Sequence, residues 1–146
     1  MALVLIIFIV AGSVGVVLVL SKKSSAQPPI EQTISIVNGV TIVTAGTYVD
    51  YSFIVPPNSS SIHVLGMFTV KGGSGGVLVY IFDSTNFYNY ENDSYFGALY
   101  QSSPVTEASI SSNLDSNGTY FLVLDNKAST ITQTVNIQAN VTYFIS

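Results

Sequence analysis

The chain begins with an uninterrupted apolar stretch. From Ala2 to Leu20 there is no charged residue, and nearly every position carries Val, Leu, Ile, Phe, Ala or Gly. As a helix this segment spans roughly 29 Å, about the thickness of a bilayer's hydrocarbon core. A helix of a globular domain is rarely apolar on every face. The pattern predicts a retained hydrophobic helix over residues 1–21, with cleavage as a signal peptide near Ser24-Ser25-Ala26 as the alternative.

Small residues within this segment form a candidate helix-packing face. Ala11 and Gly15 are four positions apart and Gly12 adjoins them. Another helix could therefore approach closely along this face, through which copies would self-associate or join a larger assembly. The alternative is that small residues are simply frequent in membrane helices.

After a linker over residues 22–32, stiffened by Pro28-Pro29, apolar and polar positions alternate with period two. Three segments each present one apolar face: Thr47–Val55, Ser61–Val70 and Val135–Ile145. Two segments are apolar on both faces, which predicts central strands: Val77–Phe82 and Thr119–Leu124. Two further segments are weaker strand candidates: Tyr95–Gln101 and Val105–Ser111.

Turn signals separate these segments. Asn38-Gly39 lies between two β-branched runs, which predicts a hairpin within Thr33–Thr44. The glycine-rich stretch KGGSGG that begins at Lys71 is typical of a flexible turn. The fold expected for residues 33–146 is a mainly β, antiparallel sandwich of about eight strands, preceded by one N-terminal hydrophobic α-helix.

Composition narrows the classes of function. Charged residues make up 8% of the chain and apolar residues 48%, a combination that excludes ordinary disorder. Four lysines and no arginine cannot build a face that neutralises phosphates, so nucleic acid is not an expected partner. The chain has no cysteine, so it contains no disulfide.

Four glycosylation sequons occur in the predicted β-domain, at Asn58, Asn92, Asn117 and Asn140. Lys22 and Lys23 follow the hydrophobic segment and by the positive-inside tendency favour a cytoplasmic domain. The sequons, together with a composition rich in Ser, Thr, Asn and Tyr, favour an extracellular domain anchored in a membrane or filament. We expect the extracellular arrangement.

Residues suited to catalysis or metal binding are sparse. His63 is the single histidine and lies in mid-strand, which favours an exposed or interfacial side chain over a catalytic base. Asp83, Glu91 and Asp93 bracket the longest predicted loop, DSTNFYNYENDSY, but lack the spacing of a calcium loop, and solvated turn residues explain them equally. The sequence predicts no enzyme activity and no cofactor or metal.

The same loop is rich in aromatic residues, and it has two interpretations. Rigid rings on a loop could form a partner-binding surface, or they could fold back over the open end of the sandwich. The candidate rings are Phe87, Tyr88, Tyr90, Tyr95 and Phe96.

Two families resemble parts of this pattern. The stretch Val77–Thr130 is similar to GOLD/emp24-like β-sandwiches, in which one strand ends in an Asp-x-x-Asn-like turn and a later Gly-x-Tyr strand ends in Asp-Asn. The whole layout resembles an archaeal type IV pilin, with a charge-free N-terminal helix before a glycosylated β-rich head. That resemblance implies a filament subunit, and the lack of a basic leader would follow if Met1 were the mature start.

Three functional hypotheses follow. The first is a cell-surface structural protein of pilin-like filaments, held by its N-terminal helix. The second is a single-pass accessory subunit of a larger membrane complex. The third is a membrane-anchored adhesin or binding module that uses the aromatic loop.

Overall fold

A computed structural model describes residues 27–71 and 75–146, which form two antiparallel four-stranded sheets and one short helix. The first sheet has the strand order β1 (Ile30–Val43), β8 (Gln133–Ile145), β3 (Ser59–Lys71), β6 (Glu107–Leu114). The second sheet has the order β2 (Tyr48–Val55), β7 (Gly118–Asp125), β4 (Leu78–Asp83), β5 (Tyr100–Gln101). Helix α1 (Ser84–Glu91) follows β4. The predicted antiparallel fold of eight strands is confirmed, whereas the predicted N-terminal helix lies outside the described residues.

The core lies between the two sheets and follows from period-two alternation. Every second residue of β8 from Gln133 to Tyr143 is buried, as predicted for a long half-buried strand. Strands β4 and β7 are central and pair with each other, with Val79 opposite Leu124 and Ile81 opposite Leu122. Their outward-facing residues are buried too, since Phe82 and Val123 are fully inaccessible. The prediction of two central strands is therefore confirmed.

Strand β1 corrects the predicted hairpin. Asn38 lies opposite Gln138 and Gly39 opposite Ile137, so the two residues continue the ladder with β8 instead of turning. The hairpin prediction is wrong because β8 offers a thirteen-residue partner, and pairing along that length outweighs a local turn preference. The strand also begins at Ile30, within the segment predicted as linker.

The weaker strand candidates are shorter or shifted. Strand β5 comprises only Tyr100–Gln101, and β6 runs over Glu107–Leu114. Both lie at one margin of the molecule, where Tyr100 donates from its hydroxyl to the Ser109 carbonyl at 2.8 Å.

The chain enters the sandwich at one of its two ends. Ile30, where β1 starts, lies opposite Ile145, where β8 finishes, and Ser59 lies opposite Ile145 on the other side. The turn before β7 is at the same end, because Gly118 pairs with Val55. We call this the entry end and the opposite one the far end.

Candidate functional site

The aromatic segment predicted as the longest loop contains α1. Asp83 caps this helix, accepting from the Asn86 amide at 2.8 Å and from the Asn86 side chain at 2.9 Å. The Asn86 side-chain oxygen accepts in turn from the Gly97 amide at 2.7 Å. The prediction of a loop is wrong here because the cap and the packing of rings outweigh the low helix propensity of Asn, Tyr, Phe and Thr.

The five candidate rings divide into two groups. Phe87 and Tyr90 are buried, and Phe96 is half-buried against Phe82, with ring centroids 5.3 Å apart. Phe87 stacks on Phe121 with centroids 4.0 Å apart. These three rings belong to a second apolar cluster on the outer side of the second sheet, and not to a cover over the open end. Two of the five rings remain exposed: Tyr88 at 66% and Tyr95 at 95%.

Lys127 and two tyrosines hold the C-terminal half of α1 to the sheet. The Lys127 ammonium lies 4.1 Å from the centre of the Tyr90 ring and 5.2 Å from that of Tyr48. Tyr48 donates to a Glu91 carboxylate oxygen at 2.9 Å. Burial, followed by this hydrogen bond, raises the pKa of Tyr48 to about 12. Burial, followed by the charge of Asp125, raises the pKa of Tyr90 as well.

The carboxylates considered for calcium have separate structural partners. Asp83 caps α1, and Glu91 accepts from Tyr48. Asp93 lies 3.5 Å from the Lys127 ammonium, an exposed contact that contributes little stability. Within the part of the chain that the structure describes, no three His, Asp or Glu side chains lie close enough to hold a metal ion.

His63 lies on the outer side of the first sheet, among polar neighbours. Its Nδ1 atom is 2.5 Å from Asn113 Oδ1, and its Nε2 atom is 3.4 Å from Ser111 Oγ. This serine–histidine–amide order is the one seen in nucleophilic sites, but here it follows from cross-strand pairing of β3 with β6. The outer side of a sheet offers no row of free backbone amides for an oxyanion, since these groups form the ladder in the plane of the sheet.

The sequence did not single out Asn126, which organises the far end. Its side-chain nitrogen is 3.1 Å from the Val43 carbonyl, 3.3 Å from the Thr44 carbonyl and 2.9 Å from the Ile131 carbonyl. The side chain is 2% exposed. The Asp-Asn pair at the end of β7 was the sequence feature that could have indicated this residue. Asn126 links the β1–β2 turn to the segment that precedes β8.

Three of the four sequons are exposed. Asn58 and Asn117 lie in turns at the entry end. Asn92 follows α1 and donates from its side chain to the Tyr88 carbonyl at 2.7 Å. Asn140 is half-buried in β8, where it lines a shallow depression together with Leu65 and Met67.

Within the part of the chain that the structure describes, no helix packs on the outer side of the first sheet, which we call the bare face. The outward-facing residues of its four strands, in the order β1, β8, β3 and β6, have mostly hydroxyl and amide side chains. Four apolar side chains interrupt it and are more than half exposed: Val40, Ile42, Leu65 and Met67. Its titratable side chains are Glu31 on β1, His63 and Lys71 on β3, and Glu107 on β6.

Several sequence predictions concern residues whose structure is not described here, among them the packing face of Ala11, Gly12 and Gly15. Within residues 27–71 and 75–146, no helix has the length and apolarity needed to cross a membrane. Comparison of the chain with protein-family models and with curated proteins finds no match in either.

Proposed function

We propose that this chain is a non-enzymatic structural protein of the cell surface, in which the N-terminal apolar segment anchors or polymerises an extracellular, glycosylated β-domain. The observation that carries the proposal is the layout. A charge-free segment from Ala2 to Leu20 is joined by a short linker to an antiparallel double sheet. A subunit of a pilin-like filament, of the kind found in archaea, combines the same two parts.

The surface of the β-domain supports an extracellular role. Its bare face carries mostly hydroxyl and amide side chains, and three sequons are exposed.

Electron microscopy of the native cell-surface fraction tests whether the chain is polymeric. In the proposed filament, Gly15→Leu disrupts assembly by adding bulk where helices approach closely, at a cost of about 1–2 kcal/mol per contact. The loss recurs at every subunit, while membrane partitioning and helix propensity are at least as good. Val17→Leu is the matched control, because it changes a position that is already bulky. A normal filament yield from Gly15→Leu would mean that the segment serves only as an anchor.

Glycosylation is the second test. Intact-mass measurement of the native protein is expected to show glycans at Asn58, Asn92 and Asn117, whose side chains are exposed. Asn140 is less reachable, because its side chain is half-buried between the neighbouring strands. A native mass equal to that of the bare chain would contradict the extracellular assignment.

The exposed Tyr88 and Tyr95 favour a second candidate, a membrane-anchored adhesin or binding module. In that case the protein is isolated without long polymers, and Tyr95→Ala weakens attachment to the target surface without changing stability. Co-purification in fixed stoichiometry with a larger membrane complex would instead identify an accessory subunit.

A further inference from the structure

The first six residues of β1 differ from the rest of the core strands. All six are exposed, although they pair in register with the buried end of β8. Ile34 lies opposite Val141 and Ile30 opposite Ile145, so both side chains point to the inner side of the sheet. Ile34 is nevertheless 44% exposed and Ile30 52% exposed, whereas Val141 is inaccessible. The second sheet therefore leaves this part of the inner face uncovered.

This segment also forms an open sheet edge. Among residues 27–71 and 75–146, strand β1 pairs only with β8, so one row of its backbone groups has no partner strand there. The other three edges are shorter or tied: β2 has eight residues, β5 has two, and β6 is held by contacts from Tyr100 and Ser112 to neighbouring carbonyls. Natural proteins protect long edges with prolines, lysines or bulges. Residues 30–35 contain no proline, lysine or bulge, and Glu31 is their single charged residue.

We propose that residues 30–34 pair antiparallel with the same residues of a second copy of this chain, with Gln32 opposite Gln32. This register places Ile30 of each copy opposite Ile34 of the other on the shared inner face. It also places Glu31 opposite Thr33, which keeps the two carboxylates apart. The two first sheets then join into one continuous eight-stranded sheet, and four exposed isoleucines become packed.

Neighbouring registers are less favourable. A twofold axis at Glu31 places the two carboxylates directly opposite each other, which destabilises a cross-strand pair. An axis at Thr33 sets Ile34 against Gln32. Pro29, which has no amide hydrogen to donate, bounds the segment on one side, and a bulge between Ser35 and Val37 bounds it on the other. The self-complementary stretch therefore coincides with the stretch that is free to pair.

A ladder of five residues is marginal by itself, since short isolated strand pairs are unstable in water. The pairing rests on the proposed function, in which the N-terminal segments hold copies side by side. Tethering of this kind raises the effective concentration of the edges to about the millimolar range. Only nine residues separate Leu20, the end of the hydrophobic segment, from Ile30, so the edge stays close to the tether.

Cysteine cross-linking of the full chain in its native surface fraction tests the register, because the natural chain has no cysteine. Gln32→Cys is expected to give disulfide-linked dimers under mild oxidation at least about tenfold faster than Asn38→Cys, as tethered edges meet at high effective concentration. Chains carrying Glu31→Cys or Thr33→Cys alone should remain monomeric, whereas a mixture of the two should cross-link. Homodimers of Glu31→Cys or of Thr33→Cys, or equal rates for positions 32 and 38, would overturn the proposal.

A charge variant separates this pairing from assembly through the apolar segment. Ile34→Lys should reduce Gln32→Cys cross-linking at least about tenfold, whereas Ile42→Lys, at another exposed position beyond the bulge, should not. Circular dichroism verifies that both variants fold.

If polymers form and remain sensitive to Gly15→Leu while no Gln32→Cys dimer appears, the strand pairing is wrong and the proposed function stands. If the dimer forms without polymers, the pairing stands and the filament is wrong.

Discussion

The outer sides of the two sheets differ in how far their apolar residues are buried. On the second sheet, α1 and its rings cover Phe82 and Val123, which are inaccessible to solvent. On the first sheet, the bare face leaves Leu65 and Met67 more than half exposed among amides and hydroxyls. One eight-residue helix between β4 and β5 makes this difference. A double sheet can thus gain a second core on one outer side while the described residues of the other outer side stay exposed.

The largest expected contrast comes from placing a carboxylate at the centre of each outer side. Val123→Asp should cost more than about 4 kcal/mol, because the charge must be desolvated or protonated beneath α1. Gln138→Asp on the bare face should change stability by less than about 1 kcal/mol. Denaturant unfolding of the two variants measures both values. Similar losses would show that the bare face is covered in the native protein.

Removing an apolar side chain gives a smaller contrast. Phe87→Ala should destabilise the fold by about 3 kcal/mol, since the ring is buried and stacks on Phe121. Met67→Ala removes a side chain that is 52% exposed and should cost less than about 1 kcal/mol. Denaturant midpoints compare the two variants, and a small effect of Phe87→Ala would mean that α1 contributes little to the fold.

Alkaline pH should produce the smallest contrast between the two outer sides, through Tyr48 on the covered side. The pKa of Tyr48 is raised from 10.0 to about 12, so the unfolded chain releases this proton at a lower pH than the folded chain. This contribution to stability is complete below about pH 10 and is lost as the pH rises towards about 12. Thermal unfolding against pH should show a shallower alkaline decline for Tyr48→Phe than for the natural chain. Met67→Ala on the bare face is the control and should leave the slope unchanged.

Period-two alternation was enough to predict the sandwich, because inward positions such as Val64 and Phe68 must be apolar wherever a strand has one buried side. Strands β4 and β7 were predictable as central since they are apolar on both sides. The covering of the second sheet could not be predicted in the same way. Asn and aromatic residues dominate α1, and its stability depends on contacts with Phe121 and Lys127, which are distant in sequence.

The open edge of β1 could not be predicted from the sequence, because the local turn preference of Asn38-Gly39 indicated a hairpin instead. Asn38-Gly39 indicates a turn whenever neighbouring residues decide the conformation, but β8 supplies a partner from the other end of the chain. Only that long-range pairing makes β1 one continuous strand with an uncovered first half. For the surface candidates, sequence identified all five rings, and burial alone separates Tyr88 and Tyr95 from the other three.

The pairing of the first strand with the last has a mechanical consequence. Strands β1 and β8 pair at thirteen positions, and the chain from the apolar segment joins β1 at the entry end. Tension between that segment and an attachment at the far end pulls β1 lengthwise past β8, so the hydrogen bonds of the ladder share the load. Tension between the two strand termini at the entry end opens the ladder one pair at a time and needs far less force. The resistance of the domain to being torn from its anchor therefore depends on which end its load is applied to.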